Sequence, residues 1–563
     1  MARKPNVLQD KDQWGTILNE YLNVAHYPDG TLKTDGLATA ADVTTLQGDV
    51  AALDTAVARI DPGAAGATGQ ALAVGTTGVK WYDEEVIHLS RRGILPNTGA
   101  NLTASLQAII TANAGRRIRF DQPGTYKAGR LQLPDNTTLE AYDAILEHDG
   151  TGTAGANLTN ASTPGSNITI AGLTLRNSSG HNPMYFTRVT GLSLRDVKVT
   201  QVTNNWAARF QDCNDVRVSG YFQDAGEDEG EDGLHFIGGR GIEIDGVNIT
   251  SGDDCLSFTF NDGDSGTTDL EDVVVTNAVL NSRAARPIAV NIATDTSARV
   301  MRRLKFSNIV GRAGSAGVHG TPGISVMDAT GTNRIEDVSL TSVLVDCSTV
   351  PTAETHQGYY FLGVDGVKLV DVKAINATDF GFQIKNCTNV KGVLCESLGP
   401  RKANSIGFRI ENSPATHLVA CKSDNPQGHH FHMITGSHNC VLVACETVAT
   451  TGTGQAVRLE SVTGCKVLGG VFDTGGSGIL EAGTADYNQF FFNDLRTIAN
   501  TNYVVLVGAN SKKGMNLGDA PSAYTVTNLT TDRAFDADTV TVGELADIVG
   551  TLLADLRTRG LVG

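Results

Sequence analysis

Short runs in which apolar and polar residues alternate recur over residues 166–510. One set falls at 168–175, 192–199, 216–218, 242–249, 273–279 and 304–309, and continues through 338–345, 367–372, 390–395, 418–421 and 441–445 to 467–471. A second set lies between them, at 256–260, 288–292, 324–327, 359–362, 380–384, 408–410, 431–434 and 457–459. Alternation at period two, with many β-branched residues, predicts strands. Val372, Cys395, Cys421, Cys445 and Val471 follow one another at 23, 26, 24 and 26 residues. Strands recurring at an irregular period in the twenties, with polar turns, describe a parallel β-solenoid, and these five residues are then an apolar column inside it. A helical solenoid would need long runs at 3.6 spacing, and this region has none. The fold class is therefore all-β.

The flanks read differently. In residues 1–36, Trp14, Ile17, Leu18, Tyr21 and Leu22 recur at helical spacing before the turn residues Tyr27, Pro28, Asp29 and Gly30. In 37–61, Val43, Leu46, Val50, Leu53, Val57 and Ile60 alternate spacings of 3 and 4, a heptad seam. A short coiled coil fits it; the alternative is an amphipathic helix lying on a globular body. Residues 62–84 form a neck rich in Gly, Ala and Thr. The solenoid takes 85–515. It opens with a short helix whose face is Leu102, Leu106, Ile109 and Ile110, with Asn101 and Thr103 available as N-caps. Such a helix would cover the first coil and guard its open edge. In 516–563, a strand-like run at 524–529 precedes the capping box Thr541 and Glu544. The helix it starts carries Leu545, Ile548, Val549, Leu552 and Leu556 on one face, which copies of itself could cover.

Composition narrows the function. At 563 residues the chain is too long for one compact core. Its net charge of −17 repels nucleic acid and anionic membranes, so neither is an expected partner. The first residues hold no apolar core of signal-peptide length, and no run approaches ~20 apolar residues. A soluble protein made in the cytoplasm is expected. The nine cysteines lack any Cys-x-x-Cys pair and sit in apolar runs, which predicts buried reduced thiols and no metal site among them.

The chemistry concentrates at 231–258. Apolar Ile242, Ile244, Val247 and Ile249 alternate until Asp245-Gly246 breaks the phase as a bend would. Asp232 lies 21 and 22 residues before Asp253 and Asp254. A coil of that length stacks the three carboxylates on one face roughly 5 Å apart, the strand spacing. Clustered carboxylates push one another's proton affinity upward, which is what an acid–base pair needs. A solvated polar turn is the alternative. Glu227, Asp228, Glu229, Glu231 and Asp232 also form an acidic run, read as a solvated loop or an oxygen-ligand site for Ca²⁺. His429, His430 and His432 read as a surface strand, with metal binding as the alternative, and 317–320 reads as a loop. No metal or cofactor is expected.

Several stretches resemble known families. The order of head, short coiled coil, Gly-rich neck, solenoid and closing segment resembles bacteriophage tail fibres and tailspikes. The stretch 14–33 looks like the attachment region of tail proteins from phages of Gram-positive hosts, and 524–563 looks like a closing segment of such proteins. The resemblance implies a virion location on the phage tail, synthesis in the host cytoplasm, a homotrimer, and attachment to baseplate or tail-tip proteins through the head. It also implies a host surface polysaccharide as partner. Residues 89–147, with a helix and a Pro-Gly-Thr-Tyr turn, resemble the first coils of the pectate-lyase-like superfamily, which implies a right-handed parallel β-helix. Asp232-Gly233 followed by Gly252-Asp253-Asp254-Cys255 resembles the polygalacturonase family of glycoside hydrolases. This implies an inverting hydrolase, with Asp253 as general acid and Asp232 and Asp254 holding the water. The chain departs from that family after Cys255. The family's histidine turn is missing, and the strand that should carry Arg and Lys reads Ile288, Ala289, Val290 and Asn291. Arg286 is the nearest basic residue, so a uronate substrate is poorly served. His235, Arg286, Trp206 and Tyr221 are the candidate sugar contacts, with core or rim packing as the alternative for His235, Trp206 and Tyr221. Three readings follow: a receptor-binding fibre without catalysis, a virion glycanase, and, third, a bacterial surface adhesin.

Overall fold

In a computed structural model, the described residues are 70–75, 78–83 and 85–518 apart from short gaps at 149, 151–155, 262–263, 315–321, 449–453, 474–475 and 499–502, with 541, 549, 552 and 556 beyond. The predicted head and heptad seam, the loop at 317–320 and the strand-like run at 524–529 lie outside them. Of the predicted C-terminal helix, Val549, Leu552 and Leu556 are helical, and the rest lies outside the described residues.

The chain divides into two units, Met1–Glu84 and Glu85–Gly563. In the first, Gln70–Gly75 pairs antiparallel with Gly78–Asp83, from Gln70 against Asp83 to Gly75 against Gly78. Part of the expected neck is thus a hairpin and not a plain linker.

The second unit is a parallel β-helix. In the coil that carries Asp232, the strand Leu234–Asp245 pairs with Leu256–Phe260 through its first residues and with Leu270–Ser282 through its last. A bend at Gly246, φ +63°, separates it from Asn248–Ser251, which pairs with the end of the same Leu270–Ser282 strand. The expected phase break at Asp245-Gly246 is this corner. Alternation buries Ile242, Ile244, Val247 and Ile249 inside the coil.

The interior is laid down in columns. Phe186, Phe210, Phe236 and Phe258 stack in register, with ring centroids 6.4, 4.6 and 5.3 Å apart. Tyr359, Phe382, Phe408 and Phe431 form a second column at 4.9, 4.6 and 5.0 Å. Each fully buried ring contributes roughly 1.5–3 kcal/mol. All nine cysteines are buried and free. Cys395, Cys421 and Cys445 follow Val372 inside the coil, as expected. Val471 does not: it pairs with Glu446, so the rung above Cys445 is Gly470, and Val471 is 52% exposed.

The helix Thr103–Ala112 buries Leu106 and Ile110 in the core. The N-cap is Leu102, which has no side-chain cap, and neither expected residue takes that place: Asn101 Oδ1, one residue earlier, accepts the Thr103 N–H at 2.8 Å, and Thr103 Oγ1 accepts the Gly129 N–H at 2.7 Å. The Gln107 amide bonds both the N–H and the C=O of Gln132, at 2.8 and 2.9 Å. One side chain thereby satisfies the edge of Leu131–Leu133, whose other edge pairs with Leu158–Asn160.

Coil length is not uniform. The outward column His235, Ser257, Ala289, Ser325, Tyr360, Gln383 is in strand register. Its steps are 22, 32, 36, 35 and 23 residues, longer than the expected twenties just past the acid cluster. The extra residues lie between the strands, and those that are described are turns, bends and irregular chain.

One corner changes character along the axis. Arg195, Ser219, Asp245, Thr276, Ser307 and Thr341 stand in register, and the column continues as Val370, Val393, Val419, Val443, Leu468 and Phe491. A left-handed φ follows in register: Asn277, Asn308, Ser342 and Asp371 in the polar part, then Leu394, Ala420, Ala444, Gly469 and Phe492, with Met515 after Gly514 on the next rung. Asn308 donates to Asn277, and Ser342 to Asp371, as a polar ladder. Past Asp371 the ladder stops, and Leu394, Phe492 and Met515 are 52%, 60% and 57% exposed.

Candidate active site

The Gly of the Asp232-Gly233 pair is required by space. A Cβ there would lie 2.2 Å from the carbonyl oxygen of Cys255 in the next coil. Gly252 is held the same way, its Cβ position 2.3 Å from the Asp228 carbonyl. The two coils thus approach backbone to backbone at the acids. Gly233 N–H donates to Asp254 O at 2.8 Å, and Asp254 N–H donates to Asp232 Oδ1 at 3.1 Å. One oxygen from each of Asp232, Asp253 and Asp254 lies within 4.8 Å of the others. The structure brings the three carboxyls together.

Their surroundings differ. Asp232 and Asp254 are buried; Asp253 is half-buried and accepts the Gly230 N–H at 2.7 Å. Burial, reinforced by the charge of Asp253, holds the Asp232 carboxyl well above the usual range. Its Oδ2 lies 2.5 Å from His235 Nδ1. Burial pushes His235 down to about 4. Both directions favour the uncharged form of each group. Burial pushes Asp254 up to about 7 against the pull of Arg286. Arg286 grips it bidentately, Nε to Oδ1 at 2.8 Å and Nη2 to Oδ2 at 3.1 Å. Burial works against the Arg286 charge, but the acids around it win and raise its proton affinity. Arg286 is therefore committed to Asp254 and is not a free cation for substrate.

Trp206 stacks flat on His235, 3.6 Å between centroids at 3°. His235 Nε2 is buried without a partner. Both line a cavity of about 890 Å³ with the three acids, Arg286, Asn291, Tyr360 and Gln383. With its amide oxygen turned toward Arg286, Asn291 accepts Nη1 at 3.0 Å. Tyr221 is elsewhere. It is 1% exposed in the coil interior, its hydroxyl bonded to Gln223 at 2.9 Å. The corner at Gly220, φ +61°, turns it inward, so it is no rim platform.

The acidic run is also built differently from a calcium loop. Glu231 is buried and its carboxylate accepts the N–H groups of Asn204, Glu227 and Asp228 at 2.5, 2.6 and 3.2 Å. It folds the loop with the oxygens a cation would need. Among the described residues, the group placed to share a cation is Asp232, Asp253 and Asp254, and there Arg286 already supplies positive charge. Tyr360, Gln383, Gln357 and Met327 were not legible as site residues, since they come from coils about a hundred residues downstream. Strand register counted forward from His235 is the signal that leads to Tyr360 and Gln383.

Comparison with known proteins adds sequence support over part of this region. Residues 166–282 match the model of glycosyl hydrolases family 28. No curated protein matches the chain. Among solved structures, tailspike protein 3 of bacteriophage CBA120 is similar at 14% identity over 80% of this chain and 69% of its own, with a TM-score of 0.42. The family 28 exopolygalacturonase of Yersinia enterocolitica is similar at 12% identity over 79% and 83%, with a TM-score of 0.34. PfbA, a surface adhesin of Streptococcus pneumoniae, is similar at 13% over 72% and 93%, with a TM-score of 0.36.

Proposed function

We propose that this protein is a phage tail fibre or tailspike that binds a host cell-surface polysaccharide along the flank of its β-helix and hydrolyses it at Asp232, Asp253 and Asp254. The observation that carries the reading is the convergence of three carboxyls, within 4.8 Å, on one open cavity walled by Trp206. The family 28 match over residues 166–282, which includes all three acids, supports it. Asp253, the most accessible of the three, is the general acid, and its protonated form donates to the leaving glycosidic oxygen. Asp254, with a proton affinity near neutrality, takes the proton of the attacking water. The neutral Asp232–His235 pair orients that water and the sugar. Arg286 positions Asp254. Arg286, the cation among the described lining residues, is held by Asp254, which favours a neutral sugar over a uronate at the site.

A second reading is a fibre that binds without cleaving. What favours it is Arg286, which occupies both oxygens of Asp254. One assay separates the two. Purified cell-wall polysaccharides from a panel of Gram-positive bacteria are incubated with the protein, and new reducing ends are counted. Hydrolysis predicts release that falls at least ~100-fold in Asp253→Asn, with binding kept. Binding of a polysaccharide with no release by the unaltered protein leaves the second reading alone.

The chain acts as a homotrimer, attached through its N-terminal head to the tail tip. The corner that turns apolar at Val370 supports side-by-side copies. One apolar residue per rung, repeated over six rungs, matches the same column of a neighbour at the same spacing.

A further inference from the structure

The outward column that begins at His235 does not stop at the carboxylate cavity. From Gln383 it continues in register to Arg409, His432 and Arg458. Gln383 lines the first cavity; Arg409, its neighbour on the next rung, lines a second of about 590 Å³. The two hollows adjoin along one face. His432 stands seven rungs past His235, roughly 34 Å at the strand spacing.

This second hollow is polar and incompletely bonded. His432 is 8% exposed; its Nε2 meets Glu460 Oε2 at 3.2 Å, but its Nδ1 has no partner. Arg409 Nε and the side-chain oxygen of Gln455 are also buried without partners. Buried polar atoms are nearly always bonded, so three left open on one hollow mark groups that a ligand completes. Arg409 lies over the Phe380 ring at 5.0 Å, which fixes its plane. His429 packs edge-on against His432, centroids 4.9 Å apart, and burial pushes both down to about 4. Neutral imidazoles, a donor at Arg409 and acceptors at Gln455 and Glu460 match hydroxyl groups, which both give and take hydrogen bonds. Among the described residues, these imidazoles and Glu460 are not a group that could share a metal ion.

We propose that the hollow at Arg409, His432 and Gln455 is a distal subsite for the same polysaccharide, holding neutral sugar units of a chain that also crosses the carboxylates. The proposal rests on the glycan reading above. It makes the substrate a long chain and gives the fibre grip remote from the bond it cuts.

The test uses the full chain and a Gram-positive wall polysaccharide that it binds, partially hydrolysed with acid and separated by length. Fragments too short to span both hollows and fragments long enough to do so are titrated against the unaltered protein, Gln455→Ala and Arg409→Gln. The second variant guards against misfolding of the first, and circular dichroism checks both. Long fragments are expected to bind roughly tenfold tighter than short ones, and each folded variant to erase that advantage while short-fragment binding stays unchanged. A length advantage that survives in a folded variant, or no length advantage in the unaltered protein, overturns the subsite alone. Failure of wall polysaccharides of every length and source to bind overturns the glycan reading with it.

Discussion

At the scale of single residues, the site is organised by which carboxyl keeps a proton. Asp254 sits near 7 because burial raises it and Arg286 lowers it. Replacing Arg286 with Gln removes the lowering charge, so Asp254 gains proton affinity. As a base it must be ionised to work. The rising limb of the pH–rate profile, near 7 in the unaltered protein, is therefore expected to move upward by roughly one pH unit in Arg286→Gln. A limb that stays in place in steady-state assays would remove Asp254 from the base role. The sequence led to Asp232, Asp253, Asp254, His235 and Trp206 because the Asp-Gly and Gly-Asp-Asp-Cys spacing equals one coil. It could not show that Arg286 turns to Asp254, since spacing gives a side chain's rung and not its partner. Tyr221 was misplaced because, at a corner, neighbouring residues point in and out of the coil by backbone angles that the one-letter pattern does not carry.

At the scale of elements, the acids depend on two coils meeting at glycines. Gly252→Ala places a methyl 2.3 Å from a backbone carbonyl, where no side chain can yield. The coils must part locally, which is expected to cost about 1–3 kcal/mol of stability and to displace Asp253. Thermal unfolding together with reducing-end release checks it; an unchanged protein by both measures would show that the close approach is unimportant. Phe236→Ala, in the middle of a four-ring column, is expected to cost roughly 3–5 kcal/mol by denaturant titration. The strands were legible because period-two alternation survives in nearly every coil. The lengthening of the coils to 32, 36 and 35 residues past Ser257 was not, because loop insertions carry no period. Those coils supply Asn291, Tyr360 and much of the cavity, so the half of the site C-terminal to the acids was hidden with them.

At the scale of the whole molecule, the β-helix serves as a ruler. One face aligns a polar groove; one corner aligns apolar residues from Val370 onward. The corner was hidden in the sequence because its polar and apolar halves differ only when read in register, one residue per coil. If copies pack along it, Leu394→Glu with Phe492→Glu puts charge in the contact and is expected to convert the oligomer to monomer in light scattering, with the coil intact by circular dichroism. An unchanged mass would place the contact elsewhere. Successive windings bring Asp232, Asp253 and Asp254 together, and the proposed sugar site depends on them. Its most direct measurement is a crystal structure of Asp253→Asn soaked with an oligosaccharide from a wall polysaccharide that the protein binds. Sugar density is expected over the three acids, between Trp206 and Tyr360, continuing toward Arg409. Density on another face of the coil, with this groove empty, would contradict it.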